Sequence, residues 1–378
     1  MRTSHAVWRS GVGLWILGTS LSPRAQAVEF SLTGYGSLVA GQILEGDAAG
    51  GTELLQCPCY ISDWGIGAAY TGTGISLRQE SRLGAQLQLT FTPELSAYVQ
   101  AVARAYDEVI KLDWAYLSYQ ITPEFSLQVG RKRIPIFYYS EFQDVGYAYN
   151  WVRPPNELYG WDLTNYNGAS LRYRTSFGDY TLTTSLYAGS SQQNASPYWK
   201  INHKEPIDSR WNDLYGADME LSAGPWTSRL VYLQSQNQYN FDHQGWGDYD
   251  FNLGEKTHQK VLGWANNWEW PHFLILSELN ATKIESQGVK LLSPSGTLGF
   301  GFRSGPWLVL PNYAQYADFY QIPEGEAGAR YDDRSLTVRY EVTEKSDLKL
   351  QYTYTKDFMS PPYLGNTQHL SMAYDFIF

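Results

Sequence analysis

The sequence predicts an all-β chain, a transmembrane antiparallel β-barrel of about sixteen strands. Three observations carry that prediction. Apolar and polar residues alternate at period two over long stretches, the mark of strands with two unlike faces. Tight turns and long polar loops take turns along the whole chain. The segments between them hold about ten residues each and come to an even number, as expected of tilted strands that cross a bilayer.

Residues 1–27 (MRTSHAVWRSGVGLWILGTSLSPRAQA) read as a secretory signal peptide. Arg2 and Arg9 give the basic start, Gly11 to Leu21 a short apolar core, and Ala25-Gln26-Ala27 a small-x-small cleavage site. That core is too short to span a membrane as a helix. Cleavage after Ala27 removes Arg2, Arg9 and Arg24 and no acid, and leaves residues 28–378 as the barrel.

Strand segments begin near Val28, Arg82, Leu95, Lys111, Phe125, Gly168, Tyr180 and Leu214. They continue from Trp226, Lys260, His272, Thr297, Trp307, Ser335, Leu348 and Gln368. Leu83, Ala85, Leu87, Leu89 and Phe91, for example, alternate with Arg82, Gly84, Gln86, Gln88 and Thr90. The segments around Val261, Phe273 and Trp307 are the least regular, because both of their parities are apolar. Thr92-Pro93-Glu94, Thr122-Pro123-Glu124, Phe177-Gly178-Asp179, Ala223-Gly224-Pro225, Trp270-Pro271, Ser304-Gly305-Pro306 and Thr343-Glu344-Lys345-Ser346 supply the tight turns. Proline sets φ at such sites and glycine relieves it. The long polar stretches are 41–80, 134–165, 190–211, 237–257, 284–294, 318–332 and 357–366, with one short connection near 107–110.

Other architectures fit less well. A soluble sandwich uses strands of about five or six residues and does not need all its short turns on one side. A solenoid would repeat at a fixed period, and none is present. Charged residues are only 17% of the chain, while 30 tyrosines and 14 tryptophans suit aromatic girdles at the two membrane interfaces. Such an apolar, aromatic chain is not disordered. A net charge of −10 leaves no footprint for nucleic acid.

In a barrel this wide the polar parity lines a wet interior. Arg82, Arg104, Arg172, Arg174, Arg229, Arg303 and Arg339 fall on it. Against lipid each would cost about 2–4 kcal/mol near the midplane. Asp218, Glu220 and Glu341 are available as partners. The third long loop, Ile134 to Asn165, carries Glu141, Asp144, Glu157 and Asp162 against a single base, Arg153. It also holds Tyr138, Tyr139, Tyr147, Tyr149, Trp151, Tyr159 and Trp161, which either pack the loop against the wall or form a sugar-stacking surface. Pro154-Pro155 stiffens it. Just before the loop, strict alternation sends Leu127, Val129, Arg131 and Arg133 outward and Lys132 inward. Cys57 and Cys59, in the first loop, are expected to form a local disulfide, with interchain pairing or free thiols as the alternatives. No metal or cofactor motif is present, and none is expected to bind.

The chain ends on Phe378, preceded at every second position by Phe376, Tyr374, Met372 and Leu370. That pattern resembles the C-terminal signal read by the barrel-assembly machinery. With the Gly130-Arg131 step that opens the third loop, the mature chain resembles the Gram-negative outer-membrane porins of the general porin superfamily. The resemblance implies an outer-membrane, lipid-embedded homotrimer whose third loop folds inward and narrows the lumen. Small hydrophilic solutes and ions would then diffuse passively through it.

The resemblance also sends Arg131 into the constriction, and a bulge at Gly130 would reconcile that with the alternation. The expected constriction then has Glu141, Asp144, Glu157 and Asp162 on the loop side. Arg82, Arg104, Arg131, Lys132, Arg172 and Arg174 face them from the wall. A sugar- or anion-selective channel is the alternative. An enzyme, such as a barrel-type outer-membrane lipase, would need a serine, a histidine and an orienting group together on the outer wall. His203, His243, His258, His272 and His369 are scattered and no Gly-x-Ser-x-Gly occurs, so the sequence points away from catalysis.

Overall fold

Alternating segments pair with their neighbours in chain order, and the last pairs with the first. The computed structural model describes residues 28–48, 55–107, 109–201, 203–322 and 325–378, so the expected signal peptide over 1–27 lies outside the described residues. Its closed barrel of 16 antiparallel strands begins with β1 Glu29–Gly46, β2 Arg82–Thr90, β3 Leu95–Arg104 and β4 Lys111–Gln120. Next come β5 Phe125–Arg133, β6 Asn165–Phe177, β7 Tyr180–Gln193 and β8 Ile207–Ala223. The second half is β9 Trp226–Phe241, β10 Thr257–Glu269, β11 Phe273–Glu285 and β12 Lys290–Ser304, then β13 Trp307–Ile322, β14 Gly325–Thr343, β15 Ser346–Asp357 and β16 Thr367–Ile377. β1 closes the cylinder: Glu29 to Ser37 pair with β2, and Tyr35 to Gly46 pair with β16. Every strand therefore has two partners, and no backbone edge is left to face lipid.

The two faces differ as the alternation requires. Leu38, Leu83, Leu117, Val129, Leu186, Leu262, Phe300, Leu350 and Met372 are exposed on the outside. Ser37, Arg104, Asp218, Arg229, Thr337, Lys349 and Asp375 are buried on the inside. A greasy exterior around a polar interior is the reverse of a soluble protein's arrangement, and it suits a lipid surround.

The turn ends of the strands fall where the sequence places them, but several loop ends do not. β6, β8, β12 and β14 start at Asn165, Ile207, Lys290 and Gly325 rather than near Gly168, Leu214, Thr297 and Ser335. The expected loop over 318–332 is mostly ladder, with Ile322 paired to Gly325. Beyond the lipid a strand needs no apolar face, so pairing continues where alternation has faded. In β8 a bulge adds to this: register shifts between Asn212 and Tyr215, with Asp213 at φ 49°. The inserted residue flips the parity and hides the strand's first turns from a period-two reading.

The irregular segments have a different cause. Val261, Leu274, Leu276, Leu308 and Leu310 are inward apolar residues, and all pack in one buried cluster with Ile136, Phe137, Tyr139, Trp151 and Tyr159 of the third loop. β10, β11 and β13 are apolar on both faces because one meets the outside and the other meets that loop.

Candidate functional site

Residues 134–164 leave β5 and rejoin the barrel at β6, touching many other strands on the way. Two short 3-10 turns, Ser140–Phe142 and Gly146–Ala148, shape the path. On one side the Glu278 carboxylate of β11 accepts from the Tyr138 amide at 2.9 Å and the Tyr159 hydroxyl at 2.6 Å. Arg229 of β9 donates to the Tyr138 carbonyl at 3.3 Å. On the other side Lys349 of β15 donates to the Gly146 carbonyl at 2.6 Å, and Arg339 of β14 donates to Asn150 Oδ1 at 3.1 Å. The Val152 amide donates to Gln351 at 2.9 Å. Gly146 has no room for a side chain, because a Cβ there would collide with Asp375 and Ser37.

A third anchor is ionic. Asp144 accepts from Arg82 of β2 at 2.5 Å, from Arg104 of β3 at 2.6 Å, and from Arg133 at the end of β5. Arg104 and Arg133 share a second acid, Asp113 of β4, at 2.9 and 2.6 Å. Burial alone would raise the Asp144 carboxyl. The adjacent guanidiniums of Arg104, Arg133 and Arg82 outweigh it and hold the group well below the usual carboxylate range. A cavity of about 670 Å³ adjoins this cluster.

No family model matches the sequence, and no curated protein matches it. Solved structures do. An anion-selective porin from Comamonas acidovorans superposes with a TM-score of 0.60 at 13% identity, over 93% of this chain and 100% of that one. The outer membrane channel DcaP of Acinetobacter baumannii gives 0.56 at 10%, over 93% and 97%. The in-vitro folded OmpT of Vibrio cholerae, described as a trimer form, gives 0.54 at 9%, over 93% and 100%. This chain has the porin fold.

Within that porin fold the expected wall residues separate. Arg82 and Arg104 join the ionic anchor. Lys132 points inward to Gln128 and, at 3.1 Å, to Ser170, with its ammonium 5.5 Å from the Tyr116 ring. Arg172 is half-buried, and Arg174 is exposed at the turn end of β6. Arg131 does not join Asp144. Its Nε donates to the Leu112 carbonyl at 2.9 Å, and register runs unbroken through Gly130 on both sides. There is no bulge at Gly130; the irregularity is one strand away, between Gln100 and Ala101 opposite Asp113. Arg133, expected outside, instead turns in. It lies past the last rung between β4 and β5, Ala115 to Arg131, and keeps only its pairing with Asn165 of β6.

The loop acids separate too. Glu141 is half-buried and lies within electrostatic reach of Lys132, Asp218 and Arg229. Glu157 and Asp162 face away from the arginines, so the expected row of four acids opposite a basic wall is corrected to one, Asp144, in direct contact. Burial, and then the facing carboxylate of Asp333, push the Glu157 carboxyl well above its ordinary range. Arg153, the loop's single base, is spent on the Tyr149 hydroxyl and the Glu80 carbonyl, both at 2.5 Å. Tyr139, Tyr149, Trp151 and Tyr159 pack the loop, and Tyr138 and Trp161 flank them. Cys57 and Cys59 are joined as a local disulfide. His369 stacks on Tyr60 inside the barrel with ring centroids 4.3 Å apart, away from the outer wall a lipase would use.

Sequence reasoning missed Asp113 and Glu278. The bulge conceals the first. The second was legible as the lone acid on the inner parity of β11, after Leu274 and Leu276 and before Asn280 and Thr282.

Proposed function

We propose that this chain is a Gram-negative outer-membrane channel through which small hydrophilic solutes and ions diffuse passively. The observation that carries the reading is the third loop's attachment to inward side chains of β9 and β11, of β14 and β15, and of β2, β3 and β5. A loop tied to facing walls narrows the opening and fixes its width. The water path then passes between the loop's Glu141 and the charged part of the inner wall from β5 to β9. Lys132, Arg172, Asp218, Glu220 and Arg229 stand on that wall, with Arg229 3.6 Å from Asp218, and Glu141 lies within electrostatic reach of Lys132, Asp218 and Arg229. Charges of both signs around such a path favour hydrated, polar solutes over apolar ones.

The comparison proteins support the channel reading through their shared fold, and the trimer form described for one of them supports a homotrimer here. The alternating tail ending at Phe378 would be the segment that the assembly machinery takes up. Purified protein in a planar bilayer should give discrete, ohmic conductance steps. Neutralising Glu141 should shift the reversal potential in a salt gradient toward anions. Conductance steps that never appear, or a reversal potential that ignores Glu141, would remove the channel or its constriction respectively.

A further inference from the structure

A second cavity, of about 330 Å³, lies at the loop end of the barrel. The third loop bounds one side, and the upper ends of β9 to β16 with the first-loop residues Cys59 to Trp64 bound the other. Aromatic rings form much of its wall, among them Trp64, Trp161, Tyr198, Trp199, Tyr249 and Tyr320. Glu157, Asp162 and Asp318 line it, and no lysine, arginine or histidine among the described residues does.

These acids are not equivalent. The Asp318 carboxylate is occupied by the hydroxyls of Ser293, Tyr316 and Tyr320. Burial and the facing carboxylate of Asp333 push the Glu157 carboxyl well above its ordinary range. Asp162 is only 7% exposed, and its Oδ2 has no hydrogen-bond partner among the described residues. Burial raises its carboxyl to about 6, against the pull of the Ser209 hydroxyl, the Leu163 amide and the Trp211 indole N–H. A buried carboxylate with an idle oxygen is unfavourable until a cation or donor reaches it. The negative faces of the surrounding rings favour the same kind of guest.

We propose that this cavity binds an organic ammonium ion with a single-ring body, the ring lying on the aromatic wall and the cationic head at Asp162. A neutral sugar would find the same rings but leave Asp162 uncompensated, and an anion would be repelled. The inference goes beyond the channel reading, since occupancy here does not require conduction.

The test is calorimetry on the purified full chain in non-ionic detergent, with benzyltrimethylammonium, phenyl β-glucoside and benzenesulfonate as probes. The cation should bind at least about tenfold more tightly than the glucoside, and the sulfonate not at all. Asp162→Asn should weaken the cation by about tenfold and leave the glucoside unchanged. In the unaltered protein cation affinity should fall as pH drops through about 6. The titratable groups around Asp162 are the phenols of Tyr198, Tyr239 and Tyr249 and, on the same cavity wall, the carboxyls of Glu157 and Asp318; burial and then Asp318 push Tyr249 up to about 12, and burial and then Tyr249 push Tyr198 well up. Equal binding of cation and glucoside, an indifferent Asp162→Asn, or a flat pH profile would overturn the proposal. The pH series decides even if the variant does not fold. Conductance, measured separately, reports on the channel reading alone.

Discussion

Asp144 and Glu157 belong to the same loop, yet the walls they meet push their carboxyls in opposite directions. Asp144 enters a cluster where Arg82, Arg104 and Arg133 converge, and it stays ionised at full burial. Glu157 meets another acid, Asp333, and burial and that neighbour push its carboxyl well up. The first region holds the loop by compensated charge. The second, around Glu278, Tyr159 and the apolar inner faces of β10, β11 and β13, holds it by burial and by hydrogen bonds to a single carboxylate. Buried residues of one chemical type thus act as an ionic clasp on one wall and lie against a second acid on the other. The surroundings, more than the residue, set the role.

The sharpest way to break the comparison is Asp144→Asn. It leaves the guanidiniums with Asp113 alone, and removal of one partner from a buried ion cluster costs about 3–5 kcal/mol. Denaturant unfolding should register that loss, and single-channel conductance should rise as the loop comes free. The depressed titration of Asp144 fixes the sign of its pH dependence. Its stabilisation is complete above the unfolded value near ~3.9 and is lost only as pH falls through the lower folded value. The clasp should therefore survive mild acid, and conductance should show no step between neutral pH and about 4.5.

Glu278→Leu attacks the other wall. It strips the acceptor from the Tyr138 amide and the Tyr159 hydroxyl while keeping apolar bulk, and should cost about 1–3 kcal/mol in the same unfolding measurement. Gly146→Val tests the close approach to Ser37 and Asp375 and should cost a similar ~1–3 kcal/mol through overpacking. A rise in conductance should accompany it.

A smaller effect is expected from Glu157→Gln. The raised carboxyl favours folding at low pH, and that contribution is lost as pH rises through its folded value and ionises it against Asp333. The glutamine variant cannot ionise, so its unfolding midpoint should stay level where the unaltered protein declines as pH rises above about 4.3. The smallest effect belongs to Arg131→Ala. Because the half-buried Arg131 bonds only a backbone carbonyl and no acid of the clasp, its loss should move stability by less than about 1 kcal/mol and leave the reversal potential unchanged.

The legible part of the site follows a physical rule. Arg82, Arg104, Arg229 and Arg339 sit on strands whose alternation is intact, and parity places each of them inside. Arg133 and Asp113 sit beside a lost rung and a bulge, and there a period-two argument fails by construction. The loop residues had no parity at all. Glu141, Asp144, Glu157 and Asp162 looked alike in sequence because nothing local distinguishes them.

Alternation, turn chemistry and an even strand number were enough to establish a closed antiparallel barrel with an apolar outside, because each strand's face is set by its own residues and its immediate neighbours. Tertiary structure alone decided which wall each loop acid meets, that Arg133 replaces Arg131 inside, and that an acid-lined aromatic cavity forms beside the loop. Those outcomes depend on residues far apart in the chain being brought together by closure of the ladder, and no local pattern encodes that distance.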